Sequence, residues 1–109
     1  MAENKEYMTK ELEYGSVNIN EDVIHTIAAA AVKDVEGVVS LKNDKKGLQI
    51  TLGEDSVELE CGLVVLYGHS VVEIAKNVQN AVTNAVESMT GLKVRSVDVN
   101  VVGISMGKA

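Results

Sequence analysis

The strongest constraint on this chain is the run from Leu63 to Ile104, LVVLYGHSVVEIAKNVQNAVTNAVESMTGLKVRSVDVNVVGI. An apolar segment passes into a long stretch of helical period and then into strict alternation. Ser70 and Glu73 form the capping box S-x-x-E ahead of that period. Val71, Ile74, Ala75, Val78, Val82, Ala85 and Met89 fall on one stripe, with Lys76, Asn77, Asn80, Thr83, Asn84 and Glu87 opposite. Gly91 supplies the C-cap. A last strand begins at Val94 or Arg95, with Val97, Val99 and Val101 inward and Asp98 and Asn100 outward. Strand, helix and strand joined this tightly imply a right-handed parallel crossover.

Upstream, the plan repeats more weakly. Val17 and Ile19 mark a short strand from Gly15 to Ile19. Asn20 is placed to cap a helix whose first turn carries Glu21 and Asp22, complementing the helix dipole. Val23, Ile24, Ile27, Ala28 and Ala31 give that helix an apolar face, and it stops near Asp34, before Gly37. Val38, Val39 and Leu41 suggest a strand, KNDKKG a loop, and Leu48, Ile50 and Leu52 a half-buried strand alternating with Gln49 and Thr51. Gly53 to Ser56 makes a tight hairpin connection. Val57, Leu59 and Cys61 then alternate with Glu58 and Glu60, but from Leu63 to Leu66 both faces are apolar, which implies cover on both sides. The helices supply one cover. The other side, with Val64 and Leu66, has no cover that the sequence identifies.

The fold class expected is α+β, with two helices packed on one face of a mixed four- to five-stranded sheet in a split β-α-β-like plan. Residues 1–14 are expected as a flexible N-terminal arm, 15–104 as a single α+β domain and 105–109 as a C-terminal tail. The core is built without Phe or Trp; only Tyr7, Tyr14 and Tyr67 are aromatic, so Val, Ile, Leu, Ala and Met must fill it. Small side chains require close approach of the helices to whatever they cover.

Composition excludes several functions. A net charge of −6 argues against nucleic acid, whose binders draw affinity from Lys and Arg on phosphates. The exception to test is a local cluster of Lys42, Lys45 and Lys46, read as a solvated turn. No dinucleotide or P-loop glycine motif occurs. The G-x-x-G of a KH domain and the stacking aromatics of an RRM are absent too. A lone Cys61 rules out an internal disulfide or a multi-cysteine metal site and fits a reducing compartment. No apolar leader and no run long enough to span a membrane is present, so any membrane association is expected through a partner or a surface patch.

Candidates for chemistry are sparse. His25 belongs on the polar side of the first helix, and His69 precedes the Ser70 cap; they lack ligand spacing to each other. Cys61 alternates with core residues and reads as a buried thiol. Glu58 and Glu60 point the same way as a solvated strand face, and Glu54 and Asp55 belong to a turn. No catalytic, cofactor or metal residue is assigned. The second helix is rich in amides on its polar side, with Asn77, Gln79, Asn80 and Asn84, which can pair across an interface without burying charge. Val64, Leu66, Asn77, Asn80 and Asn84 are therefore the candidate interaction surface.

G-x-V-x-I-x-x-x-V-I from Gly15 to Ile24, V-x-G-V from Val35 to Val38, Tyr67-Gly68 followed by V-V-E-I-A-x-x-V-Q from Val71 to Gln79, Met89-Thr90-Gly91-Leu92, and V-x-V-N-V-V-G from Val97 to Gly103 occur in that order. Together they resemble the alkaline-shock, or envelope stress response, protein family of Gram-positive bacteria over residues 15 to about 104. Leu66 stands where members often carry Glu. The resemblance implies a non-enzymatic cytoplasmic protein acting by self-association and protein contacts, a homo-oligomer. A small membrane-anchoring protein is a further partner it implies, so that membrane association comes through that partner. The competing reading is a regulator of lipid or fatty-acid metabolism that binds a metabolite or an enzyme.

Overall fold

A computed structural model describes residues 7–42 and 47–107. Its elements are β1 (Tyr7–Leu12), β2 (Gly15–Asn20), α1 (Glu21–Lys33), β3 (Val38–Leu41), β4 (Leu48–Leu52), β5 (Ser56–Leu66), α2 (Val71–Thr90) and β6 (Lys93–Ser105). The caps form where side-chain chemistry places them. Asn20 Oδ1 accepts from the Asp22 N–H at 2.6 Å, and Ser70 Oγ from the Glu73 N–H at 3.2 Å. Gly91 closes α2 in the left-handed region, with its N–H donating to the Glu87 carbonyl at 2.9 Å.

β5 is the centre of a mixed four-stranded sheet. Along one edge β6 runs parallel to it through the whole strand, Ser56 opposite Lys93 and Leu66 opposite Ser105. The other edge is shared end to end. β4 pairs antiparallel with Val57 to Cys61, and β3 antiparallel with Leu63 to Val65. Both helices lie on one face. Val57, Leu59, Cys61, Leu63 and Val65 of β5 meet Ile24, Ala28 and Val32 of α1 and Ile74, Val78, Val82 and Val86 of α2 in one buried core. Each fully buried Val, Leu or Ile contributes roughly 1.5–3 kcal/mol relative to exposure.

Three expectations change. The arm takes a different form over its second half. Tyr7–Leu12 is a strand paired antiparallel with β2, Leu12 opposite Gly15 and Tyr7 opposite Asn20, while residues 1–6 lie outside the described residues. Its charged sequence shows no apolar period because the hairpin is mostly exposed and is held by backbone bonds and polar links. Thr9 Oγ1 donates to Asn18 Oδ1 at 2.9 Å, and Lys10 Nζ to the Gly91 carbonyl at 3.2 Å.

Second, β2 does not join β3 through α1 in one sheet, as the weak repeat suggests. β5 has only two edges: β6 occupies one, and β3 and β4 share the other. Third, the apolar stripes are displaced at their ends. Val86 of α2 and Val32 of α1 are buried, whereas Met89 is 70% and Val23 46% exposed. Met89 instead lines a groove with Leu12, Val17 and Ile19 of the hairpin and Val23 and Ile27 of α1.

Gly37 shows how tightly the layers close. Its φ is +95°, and a Cβ there would lie 2.7 Å from Ile74 Cδ1 and 3.4 Å from His69 Cγ. Gly68 has a similar φ of +102° but nothing within 4 Å. Both substitutions to Ala strain the backbone, by about 1–2 kcal/mol; only Gly37→Ala also forces the Ile74 side chain. Urea unfolding is expected to show Gly37→Ala losing about 1–3 kcal/mol more than Gly68→Ala. Equal losses would mean that α2 does not bear on Gly37.

Candidate functional site

The titratable and nucleophilic side chains are dispersed. His25 is half-buried on α1 and His69 is exposed beyond β5, its ring beside Gly37. Cys61 is fully buried in β5. Burial pushes its thiol well above the ordinary range, to about 11, and the neighbouring Glu60 adds to the rise. A thiolate nucleophile needs the opposite environment.

Glu58 and Glu60 do point the same way, to the sheet face that the helices leave uncovered, but each is engaged across to β6. Glu58 Oε2 lies 3.3 Å from Arg95 Nη1, and Glu60 Oε2 accepts from Asn100 Nδ2 at 2.9 Å. The Arg95 pair is exposed on both sides, so it contributes little. Among the described residues no group of His, Cys, Asp or Glu is gathered to hold a metal ion. Lys42 is exposed at the end of β3; Lys45 and Lys46 lie outside the described residues.

The five residues of the candidate interaction surface occupy two sides of the domain. Val64 and Leu66 lie on the uncovered sheet face and are half-buried. Val64 packs where a Cβ on Gly103 would be 3.6 Å from it, and Leu66 lies equally close to Gly107, at 3.5 Å. The C-terminal end of β6 thus borders both residues within the sheet and leaves that face uncovered. Asn77, Asn80 and Asn84 are exposed on the opposite side, along the face of α2 turned away from the core. They form a stripe by themselves, separate from the strand residues.

Gln79 belongs to neither surface. It sits on the flank of α2, and its Nε2 donates to the Val97 carbonyl of β6 at 3.0 Å. Two features escape the sequence reading. One is this bond. The other is the continuation of β6 to Ser105, with Val102 48%, Ile104 56% and Met106 77% exposed around it. The alternation of these three residues with Gly103, Ser105 and Gly107 is the signal for it. A further apolar groove of about 400 Å³ lies between the β1–β2 hairpin and the helices, with Leu12, Val17, Val23, Ile27 and Met89 in its walls.

Residues 9–106 match the model of the alkaline-shock protein 23 family, described as having a cell envelope-related function. The chain belongs to this alkaline-shock protein family. Among its relatives is the uncharacterized protein YqhY of Bacillus subtilis, 28% identical over 104 residues, covering 83% of this chain and 77% of the relative. The uncharacterized protein Spy1535 of Streptococcus pyogenes is 31% identical over 102 residues, covering 83% and 79%. Among solved structures, the copper form of MamM CTD is similar in fold, with a TM-score of 0.57 at 17% identity, covering 82% of this chain and 91% of that one. At that identity the likeness is one of fold.

The buried thiol generates a prediction with a definite sign. The folded chain holds the Cys61 proton up to about 11, whereas the unfolded chain releases it near the ordinary value of 9.0. Stability from this group is full below the ordinary value and is lost as pH rises through it toward about 11. Unfolding free energy measured across that range is expected to fall roughly 2–3 kcal/mol further in the native chain than in Cys61→Ala. Identical slopes would contradict a buried, neutral thiol.

Proposed function

We propose that this alkaline-shock family chain is a non-enzymatic interaction protein of the cell-envelope stress type. It acts by associating with copies of itself and with other proteins. The observation that carries the reading is the family match across residues 9–106, nearly the whole described domain, with its cell envelope-related description. The side-chain chemistry agrees with it: the thiol is buried and the paired glutamates are occupied by β6.

Two surfaces are put forward for the contacts. One is the strand end with Val64 and Leu66 on the uncovered sheet face. The other is the amide stripe Asn77, Asn80 and Asn84 on α2. No described helix is long and apolar enough to cross a membrane, so we assign association with the envelope to a small membrane-anchoring partner and the chain itself to the cytoplasmic side. The family description gives no support to a regulator of lipid metabolism.

Light scattering of the purified chain over a wide concentration range tests the self-association. The mass is expected to rise above that of the 11.6 kDa monomer as concentration increases. A constant monomer mass at every concentration contradicts the reading.

A further inference from the structure

We propose that the open edge of β6 pairs antiparallel with the β6 edge of a second copy of this chain, joining their two sheets into one. This rests on the self-association put forward above and names the surface that carries it.

The first reason is backbone hydrogen bonding. β6 pairs with β5 alone, so along its 13 residues one edge has no strand partner among the described residues. The Val97 carbonyl is turned toward α2, where Gln79 takes it. By strand alternation, Val99 and Val101 present their N–H and C=O groups along that same edge. Gln79 covers one position and leaves those beyond it open. The groups that best satisfy such a row are those of another strand.

The second reason is what flanks the row. Natural edges are protected by proline, lysine, inward charge or bulges that twist the edge away. This chain contains no proline, and β6 carries no charge from Val99 to Ser105. β6 is bulged at Arg95 and again at Val102, the extra residue between Val101 opposite Leu63 and Gly103 opposite Val64, so the regular edge available for pairing is Ser96 to Val101. Val102 therefore lies on the uncovered sheet face, near Gly62, while Ile104 pairs with Val65 and falls on the helix side. Both are about half exposed, so apolar surface borders the open edge from both faces of the sheet.

Symmetry favours a second copy as the occupant, and the uncharged stretch of β6 permits it. The chain as a whole carries −6, and two copies repel over most of their surface. β6 is the exception, with Lys93 and Arg95 against Asp98 and an uncharged half beyond. Antiparallel pairing about the Val99–Val101 stretch sets like apolar segments against each other under a two-fold axis, which makes the contact self-complementary. A strand pair of this length buries less than about 1,200 Å² in total, the low end for specific interfaces. The association is therefore concentration-dependent.

Sedimentation velocity of the full chain, combined with hydrogen exchange read at single amides, tests the proposal. The native chain is expected to shift toward dimer with concentration, and exchange at the Val99 and Val101 amides to slow in parallel. Val102→Lys and Ile104→Lys are expected to weaken association by about tenfold or more by adding like charge at the edge. Ala30→Lys, which adds the same charge at an exposed position of α1 that belongs to neither contact surface, is expected to leave it unchanged. Circular dichroism checks that each variant folds; if an edge variant does not, the exchange of the native chain decides. Association undiminished in both folded edge variants, or Val99 and Val101 exchange independent of concentration, overturns the β6 pairing while leaving self-association standing. A chain that stays monomeric overturns both.

Discussion

The parallel pairing of β5 with β6 is the interaction on which the rest of this structure depends. It closes the longest crossover in the chain, from Leu66 through α2 to Lys93. Its polar links are few but well placed. Glu87 Oε2 accepts from the Val94 N–H at 2.9 Å where β6 begins, and Gln79 holds the Val97 carbonyl from the side. Between them the buried series Ile74, Val78, Val82 and Val86 lays α2 over the two strands. Because β6 occupies one edge of β5 completely, the remaining strands must share the other edge. β4 and β3 divide it, and β1 and β2 are left to pair with each other.

The same arrangement explains why the chemistry is dispersed. Alternation along β5 sends Cys61 into the core, where burial keeps the thiol neutral, and sends Glu58 and Glu60 to the uncovered face, where Arg95 and Asn100 of the parallel neighbour meet them. What the parallel pair leaves unsatisfied is structural in kind: the outer edge of β6 and the apolar residues beside it. An unsatisfied strand edge favours association over catalysis, in agreement with the cell envelope-related description of the family.

Much of this is legible in the residues because it is local. Asn20, Ser70 and Gly91 announce the helix ends by capping chemistry, and the alternation through Leu48–Leu52 and Val57–Cys61 announces the hairpin. Features that depend on distant partners are not legible. β1 has no apolar period because backbone pairing and exposed polar links hold it. The stripe on α2 is correct in direction, but Met89 at its end lines the groove beside the hairpin instead. Gln79 reads as one more exposed amide until β6 is placed beneath it. Val64 and Leu66 are half-buried only where an extended β6, remote in sequence, runs beside them in the sheet. The surface residues read together from the sequence fall on two sides of the domain, since a strand face and a helix face have no common register in the sequence.

The central claim is that copies of this chain meet along β6. Distances between spin labels on two copies test it most directly, because the sheet geometry separates the alternatives. With β6 against β6, a label at Val102 lies next to the junction, one strand spacing of about 5 Å from its partner strand. A label at Gln49 of β4 lies five spacings from its counterpart, about 24 Å or more. The account predicts a short distance at Val102 and a long one at Gln49; a short distance at Gln49 with a long one at Val102 would contradict it.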